Sequence, residues 1–210
     1  MYMFTESTTT VKGTTYKISI GPDSGVSYLA EGFNSKSDVL IAEDEINTVL
    51  YSIKSNLNGD IYSQILQVHN YLIDNTIYDS NSTTELSHGI YGTLVNNLAV
   101  CDGYAKAFKF IMDDLGISCI EVCGIGQNSS GKTESHAWND ILIDGVWYAV
   151  DVTWDDPIIV GGNGKLTDDL RYNYFLKGSN TFYASHQEDG YIVENGEFKY
   201  PTLSISEYRK

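Results

Sequence analysis

The segment SHAWNDILIDGVWYAVDVTW, residues 135–154, limits what this chain can fold into more than any other stretch. Two runs rich in β-branched, aliphatic and aromatic residues flank an Asp-Gly pair. That pair suits a two-residue hairpin turn in which both central residues take positive φ. With Asp144 and Gly145 as the turn, Ile143 faces Val146, Trp138 lies opposite Asp151, and His136 lies opposite Thr153. Side chains alternate across a strand, so His136, Trp138 and Asp151 share one face. His136 and Asp151 are then diagonal neighbours, about 5–8 Å apart at Cβ. Asp151 sits between valines in YAVDVTW. A carboxylate in so strand-like a context needs exposure or a partner, and His136 is a partner on the same face.

The rest of the chain reads as helices ahead of this hairpin. Residues 1–36 alternate loosely and are glycine-punctuated, which predicts a strand-rich lead-in or the remnant of a preceding module; residues 37–210 form the main domain. Ser37 or Asp38 is placed to cap a first helix whose stripe is Ile41, Ile46, Val49, Leu50 and Ile53, ending near Asn58-Gly59. A second helix carries Ile61, Ile65, Val68, Leu72 and Ile73, with His69 beside the stripe as a structural histidine. After a polar loop holding a surface His88, a third pattern begins at Cys101. Its buried face is Tyr104, Phe108, Ile111, Met112 and Leu115, and Gly116 is placed to end it. ISCIEVCGIG reads as a strand, residues 127–134 and 155–170 as loops, and the C-terminal segment as a second hairpin about Asn195-Gly196. Helices followed by an antiparallel sheet make the fold class α+β.

Cys101 opens its helix in AVCDGYAKAFKF. Unpaired amides and the dipole at a helix start favour negative charge on sulfur. His136 can draw the thiol proton while Asp151 holds the imidazole's tautomer and orientation. The thiolate attacks an acyl carbon, His136 protonates the departing amine, and a thioester remains for water or a second amine to resolve.

Charge and cysteine usage remove other classes. With 28 acidic against 13 basic residues the chain carries −15, which repels nucleic acid and anionic lipid. No apolar run approaches the ~18 residues of a membrane span, and MYMFTESTTT is too polar and short for a signal peptide. A tyrosine-rich, lysine-poor polar surface leans toward an extracellular or cell-surface location, the cytoplasm being the alternative. Cys119 and Cys123, four apart in a strand, are ~13 Å from each other, too far for a bridge, and read as core residues. No metal set emerges from His69, His88, His136 and His186 or from the cysteines. The acidic residues Asp155, Asp156, Asp168 and Asp169 lack calcium-loop spacing and read as a solvated loop. No cofactor is expected.

AVCDGYAKAFKFIMDDLGI and SHAWNDILIDGVWYAVDVTWDDP together resemble the nucleophile and the histidine–aspartate motifs of the transglutaminase-like superfamily, the papain-related cysteine enzymes, in its bacterial cell-surface branch. VHNYLIDNTIYD, IYGTLVNN and RYNYFLKGSNTFYASH extend the likeness over residues 61–186, with His186 as the late histidine. The resemblance implies a papain-like core with the nucleophile at a helix start against an antiparallel sheet, and it places Cys, His and Asp on Cys101, His136 and Asp151. It implies action on a protein or peptide amide, cell-wall peptides included. Hydrolysis is the first expectation. Glutamine-directed amine transfer and a non-catalytic surface binding module are the alternatives. The Cys101 amide is one expected oxyanion donor, with the other sought between Tyr91 and Asn97. Trp138 is a candidate wall of the acyl site, Trp154 and Asp155 are structural or rim residues, and Asp102 is a first-turn acid opposing the thiolate.

Overall fold

The structure, a computed structural model, describes residues 3–10, 13–20, 32–33, 35–157, 167–189, 191–193 and 196–210. The lead-in pairs as a hairpin of β1 (Met3–Thr10) and β2 (Gly13–Ile20). Helix α1 (Lys36–Asn56) starts two or three residues earlier than the sequence pattern indicates, because Ser35 is the residue whose side chain accepts from the Asp38 amide. Its buried stripe is accordingly Val39, Ala42, Ile46, Leu50 and Ile53, while Ile41 is 57% exposed. Asp60 caps α2 (Ile61–Asn75), which buries Ile65, Val68, His69, Leu72 and Ile73. Ile61 at its first position is exposed.

Two short parallel strands, β3 (Ile77–Tyr78) and β4 (Leu98–Ala99), bring the segment before Cys101 alongside the end of α2. Between them lie a 3-10 turn (Glu85–His88) and α3 (Ile90–Leu94). Helix α4 (Cys101–Asp114) follows β4 and ends at Gly116, which takes φ 72°. A four-stranded antiparallel sheet completes the core in the order β7-β6-β5-β8: β5 (Cys119–Gln127), β6 (Thr133–Ile143), β7 (Val146–Val150) and β8 (His186–Glu188). This is the mixed helix-and-sheet arrangement of a papain-like core. Helices α5 (Asp168–Arg171) and α6 (Ser179–Phe182) and the hairpin β9 (Tyr191–Val193) and β10 (Gly196–Phe198) follow β7 or β8. In that last hairpin Gly196 pairs with Val193, and Asn195 of the expected turn lies outside the described residues.

The β6–β7 register is the one the Asp-Gly turn imposes. Ile143 pairs with Val146 and Asn139 with Val150, and Asp144 and Gly145 take φ 51° and 78°. The main core lies between α1, α2, α4 and the sheet, with Leu72, Phe108, Ile111, Met112 and Ile141 fully buried. A smaller cluster of Val122, Trp138, Ala149, Phe182 and Leu203 forms a second apolar centre. Asn139 is buried in the middle of β6, and its Nδ2 donates to Ala105 O (3.0 Å) and Ile120 O (3.2 Å). One side chain thus pins α4 to the sheet. Both bonds are needed, because a buried amide left unpaired costs about 1–3 kcal/mol.

Candidate active site

Cys101 is the first residue of α4, half-buried, and the capping position before it is Val100, which offers no side-chain acceptor. The first-turn amides are therefore left to whatever anion lies at the helix start. The helix start is fixed from below: the Val100 amide donates to Ser87 O at 3.0 Å. A Cβ at Gly103 would stand 2.3 Å from that same carbonyl and 3.1 Å from Thr93 Oγ1, so only glycine lets the first turn sit this close. Asp102 is the acid that sequence sets against the thiolate. Its carboxylate is taken up by Lys106 Nζ at 2.8 Å and His88 Nδ1 at 2.9 Å, which offset its charge at the surface. His88 is exposed, and this contact is its role.

His136 approaches from β6. Its Nε2 lies 2.7 Å from Asp151 Oδ2, and the Cys101 side chain is near enough to act on its pKa. With Nε2 committed to the carboxylate, Nδ1 is the nitrogen left for sulfur. Burial pushes the imidazole pKa down, but the Asp151 charge, the Asp151 hydrogen bond and the Cys101 contact outweigh it and raise the value to about 10. Asp151 is fully buried, which would raise its pKa; the charge and hydrogen bond of His136, with the hydrogen bond of His186, instead hold it well below the usual carboxylate range. Asp151 is therefore an anion, able only to accept, so each Nε2 facing it carries a hydrogen.

Its second oxygen, Oδ1, accepts from the Trp154 amide at 3.1 Å, and the Trp154 ring stacks on His136 with centroids 4.9 Å apart. A Cβ at Gly126 on β5 would meet that indole at 2.6 Å, so the glycine opens the space in which Trp154 lies. Trp154 is thus a lid on the histidine.

His186 also reaches the triad. From β8, which pairs with β5 at Gly126, it places Nε2 3.0 Å from the same Asp151 Oδ2. It is buried and stacks on Phe182 with centroids 4.0 Å apart.

Other residues expected at the site fall elsewhere. Trp138 shares the face of His136 but is 1% exposed, packed against Phe182 and His186. It supports the histidines from beneath and has no surface to offer a substrate. Tyr91 turns toward α1, donating to Glu45 Oε2 at 2.7 Å and meeting Phe33 edge-on. Asn97 is exposed at a turn with φ 55°, its carbonyl accepting from the Ile77 amide. Tyr78, half-buried at the end of β3, has its phenol raised to about 12 by burial first and then by the charges of Cys101, Glu134, Asp102 and Asp151.

The turn after Asp151 is held from two helices. Asp155 Oδ2 lies 2.9 Å from His69 Nε2 of α2, and Oδ1 accepts from the Tyr174 amide. Both partners are fully buried. Burial pushes His69 down to about 3 and Asp155 up to about 9, so they share one proton as a neutral pair. Asp155 is structural, not a rim residue. Asp156 accepts from the Tyr104 hydroxyl of α4 at 2.7 Å. These two acids are consumed by packing contacts and do not form a solvated acidic loop; the Asp168 and Asp169 side chains lie outside the described ones.

Among the described residues the donor atoms of His136, Asp151 and His186 lie within 4.8 Å of one another, within reach of one cation. Their separations of 2.7 and 3.0 Å are hydrogen-bond distances, shorter than the ~3.3 Å between two ligands on a tetrahedral zinc. Shared protons account for the arrangement. Beside Trp154 a cavity of about 590 Å³ opens between Gln127, Asn128, Asn173, Tyr174 and Ser185.

A family model described as the transglutaminase-like superfamily matches residues 48–152, half of the chain. The mouse and human proteins named kyphoscoliosis peptidase are each 30% identical to it over 116 residues. That match covers 51% of this chain and spans only 17% of the length of either relative. A crystal structure of a TGase aligns with a TM-score of 0.48 at 18% identity, covering 69% of this chain and 39% of that one. The matched segment includes Cys101, His136 and Asp151, and it ends before His186. The chain belongs to the transglutaminase-like superfamily.

Proposed function

We propose that the protein is a cysteine-dependent enzyme acting on protein or peptide amides, with Cys101 as nucleophile, His136 as proton carrier and Asp151 as its orienter. The observation that carries this reading is a histidine bonded through Nε2 to a fully buried carboxylate, with the Cys101 side chain near enough to join Asp151 in raising the imidazole pKa. A His136 that stays cationic to about pH 10 favours a thiolate at its side and holds a proton ready for the leaving amine. The uncapped start of α4 supplies the Cys101 amide to a developing oxyanion.

Hydrolysis is the reaction favoured over amine transfer. Among the described residues no charged side chain lines the cavity beside Trp154. The two mammalian relatives carry the name peptidase, which agrees. The test is to offer peptide mixtures in water and again with a fluorescent primary amine, then analyse products and intact protein by mass spectrometry. An acyl adduct on Cys101 with free carboxylate product supports hydrolysis. Amine-tagged peptide would shift the assignment to transfer, and no adduct with any peptide would count against both.

A further inference from the structure

His186 is the one buried titratable group at this site with no part in the chemistry just described. Its Nε2 lies 3.0 Å from Asp151 Oδ2, the oxygen that also receives His136 at 2.7 Å. Because Asp151 is an anion and can only accept, His186 Nε2 must carry a hydrogen there. The other nitrogen, Nδ1, lies 3.0 Å from Ser185 Oγ, and in the neutral ring it accepts that hydroxyl's proton. Ser185 thus selects the tautomer that donates to Asp151. Packing fixes the ring plane, with Phe182 stacked at 4.0 Å and Trp154, Trp138 and Tyr174 around it at centroid distances of 4.4, 5.1 and 5.3 Å.

We propose that His186 is a positioning residue that acts through Asp151: by donating its Nε2–H to Oδ2, it divides that oxygen between two imidazoles and so limits the basicity that Asp151 confers on His136. This rests on the reading of Cys101 and His136 as the reactive pair. A carboxylate oxygen already bearing one short hydrogen bond accepts a second less strongly. His136 therefore holds its proton firmly enough to pair with a thiolate, yet less firmly than a histidine alone on a buried aspartate. Proton delivery to the leaving amine benefits from that weakening, since transfer is most efficient when the donor is not too weak an acid. The other titratable groups facing this assembly are Cys101 and Tyr78 on the nucleophile side, Tyr174 beside His186, and the His69–Asp155 pair behind Asp151. Among the described residues only His136 and His186 hydrogen-bond Asp151 Oδ2.

Two substitutions separate this role from packing. His186→Phe keeps the ring that stacks on Phe182 and removes the donor. His186→Gln loses the ring and places an amide N–H at about the same reach. The readout is the His136 titration midpoint, followed by NMR of isotopically labelled histidine in the resting protein, together with the alkaline limb of amide turnover. His186→Phe is expected to raise both by about one pH unit, and His186→Gln to leave them near the parent. A midpoint unmoved by Phe, or moved equally by both substitutions, would overturn the proposal. If the Phe variant does not fold, the tautomer decides: His186 in the parent must carry its hydrogen on Nε2, and finding that nitrogen bare overturns it. A midpoint that shifts as expected in a protein with no turnover would leave the shared proton intact and count against the enzyme reading instead.

Discussion

Tyr104 donates a 2.7 Å hydrogen bond to Asp156 Oδ2, joining the first turn of the helix that begins at Cys101 to the turn that follows Asp151. Nucleophile and orienter are thereby tied together by a contact that touches neither. With His69–Asp155 anchoring the same turn to α2, the 151–156 segment is held from two helices.

Tyr104→Phe tests that tie. The hydroxyl is buried and its loss leaves Asp156 without this donor, so stability is expected to fall by about 1–2 kcal/mol in urea unfolding. Turnover should fall through kcat more than through KM, because the substitution displaces Cys101 relative to His136 without altering the cavity beside Trp154. An unchanged kcat with lowered stability would mean that Asn139 alone positions the helix.

Asp151→Asn removes the charge that supports His136. The imidazole pKa is expected to drop from about 10 toward or below its ordinary value, since burial then acts with less opposition. Turnover should fall on the order of 10³-fold or more, as it does when a triad carboxylate becomes an amide that favours the wrong tautomer. The alkaline limb of the remaining activity should move down by the same shift. A His136 midpoint that stays high in this variant would assign its basicity to some other group.

Asp140 gives a pH dependence of stability that is independent of catalysis. Burial, and then Glu188, push its carboxyl up to about 8, and its Oδ1 has no hydrogen-bond partner. A folded-state pKa above the unfolded value means that the folded chain holds the extra proton. The resulting stabilisation is complete below the ordinary aspartate value of 3.8 and is lost as pH rises through about 8. Asp140→Asn should flatten the decline in Tm between pH 4 and 8 and raise Tm by a few degrees at the upper end. A parent Tm that does not decline over that range would show Asp140 to be ionised when folded.

Much of this site could be read from one hairpin. The Asp144-Gly145 turn fixes the register, and the register puts His136 and Asp151 on one face, because both facts are local to twenty residues. Cys101 was legible as a helix start from the periodicity after it. His186 was not, because it reaches Asp151 through the pairing of β8 with β5, a contact across more than sixty residues of chain that no local pattern encodes. For Trp138 the hairpin leaves a site wall and a core residue both open. Sharing a strand face with His136 does not reveal that Phe182 of a later helix covers that face. The acids after Asp151 look solvated by composition, yet a histidine in α2 and a tyrosine in α4 bind two of them, and Asp155 is fully buried. Helix α1 shows the sensitivity of a stripe to its cap: with Ser35 as cap, Val39 and Ala42 are buried and Ile41 is exposed.

The pairing of Cys101 with His136 is tested most directly by the rate of iodoacetamide labelling at each cysteine from pH 5 to 9, read by peptide mass spectrometry in the parent and in His136→Ala. A thiolate held beside an imidazolium should label rapidly at pH 6, with little further gain up to pH 8, and that low-pH reactivity should vanish in the variant. Buried Cys119, whose thiol burial pushes up, should stay slow throughout and serve as the internal reference. Labelling of Cys101 that is slow at pH 6, climbs only above pH 8 and is the same in both proteins would contradict the ion pair and the cysteine chemistry built on it.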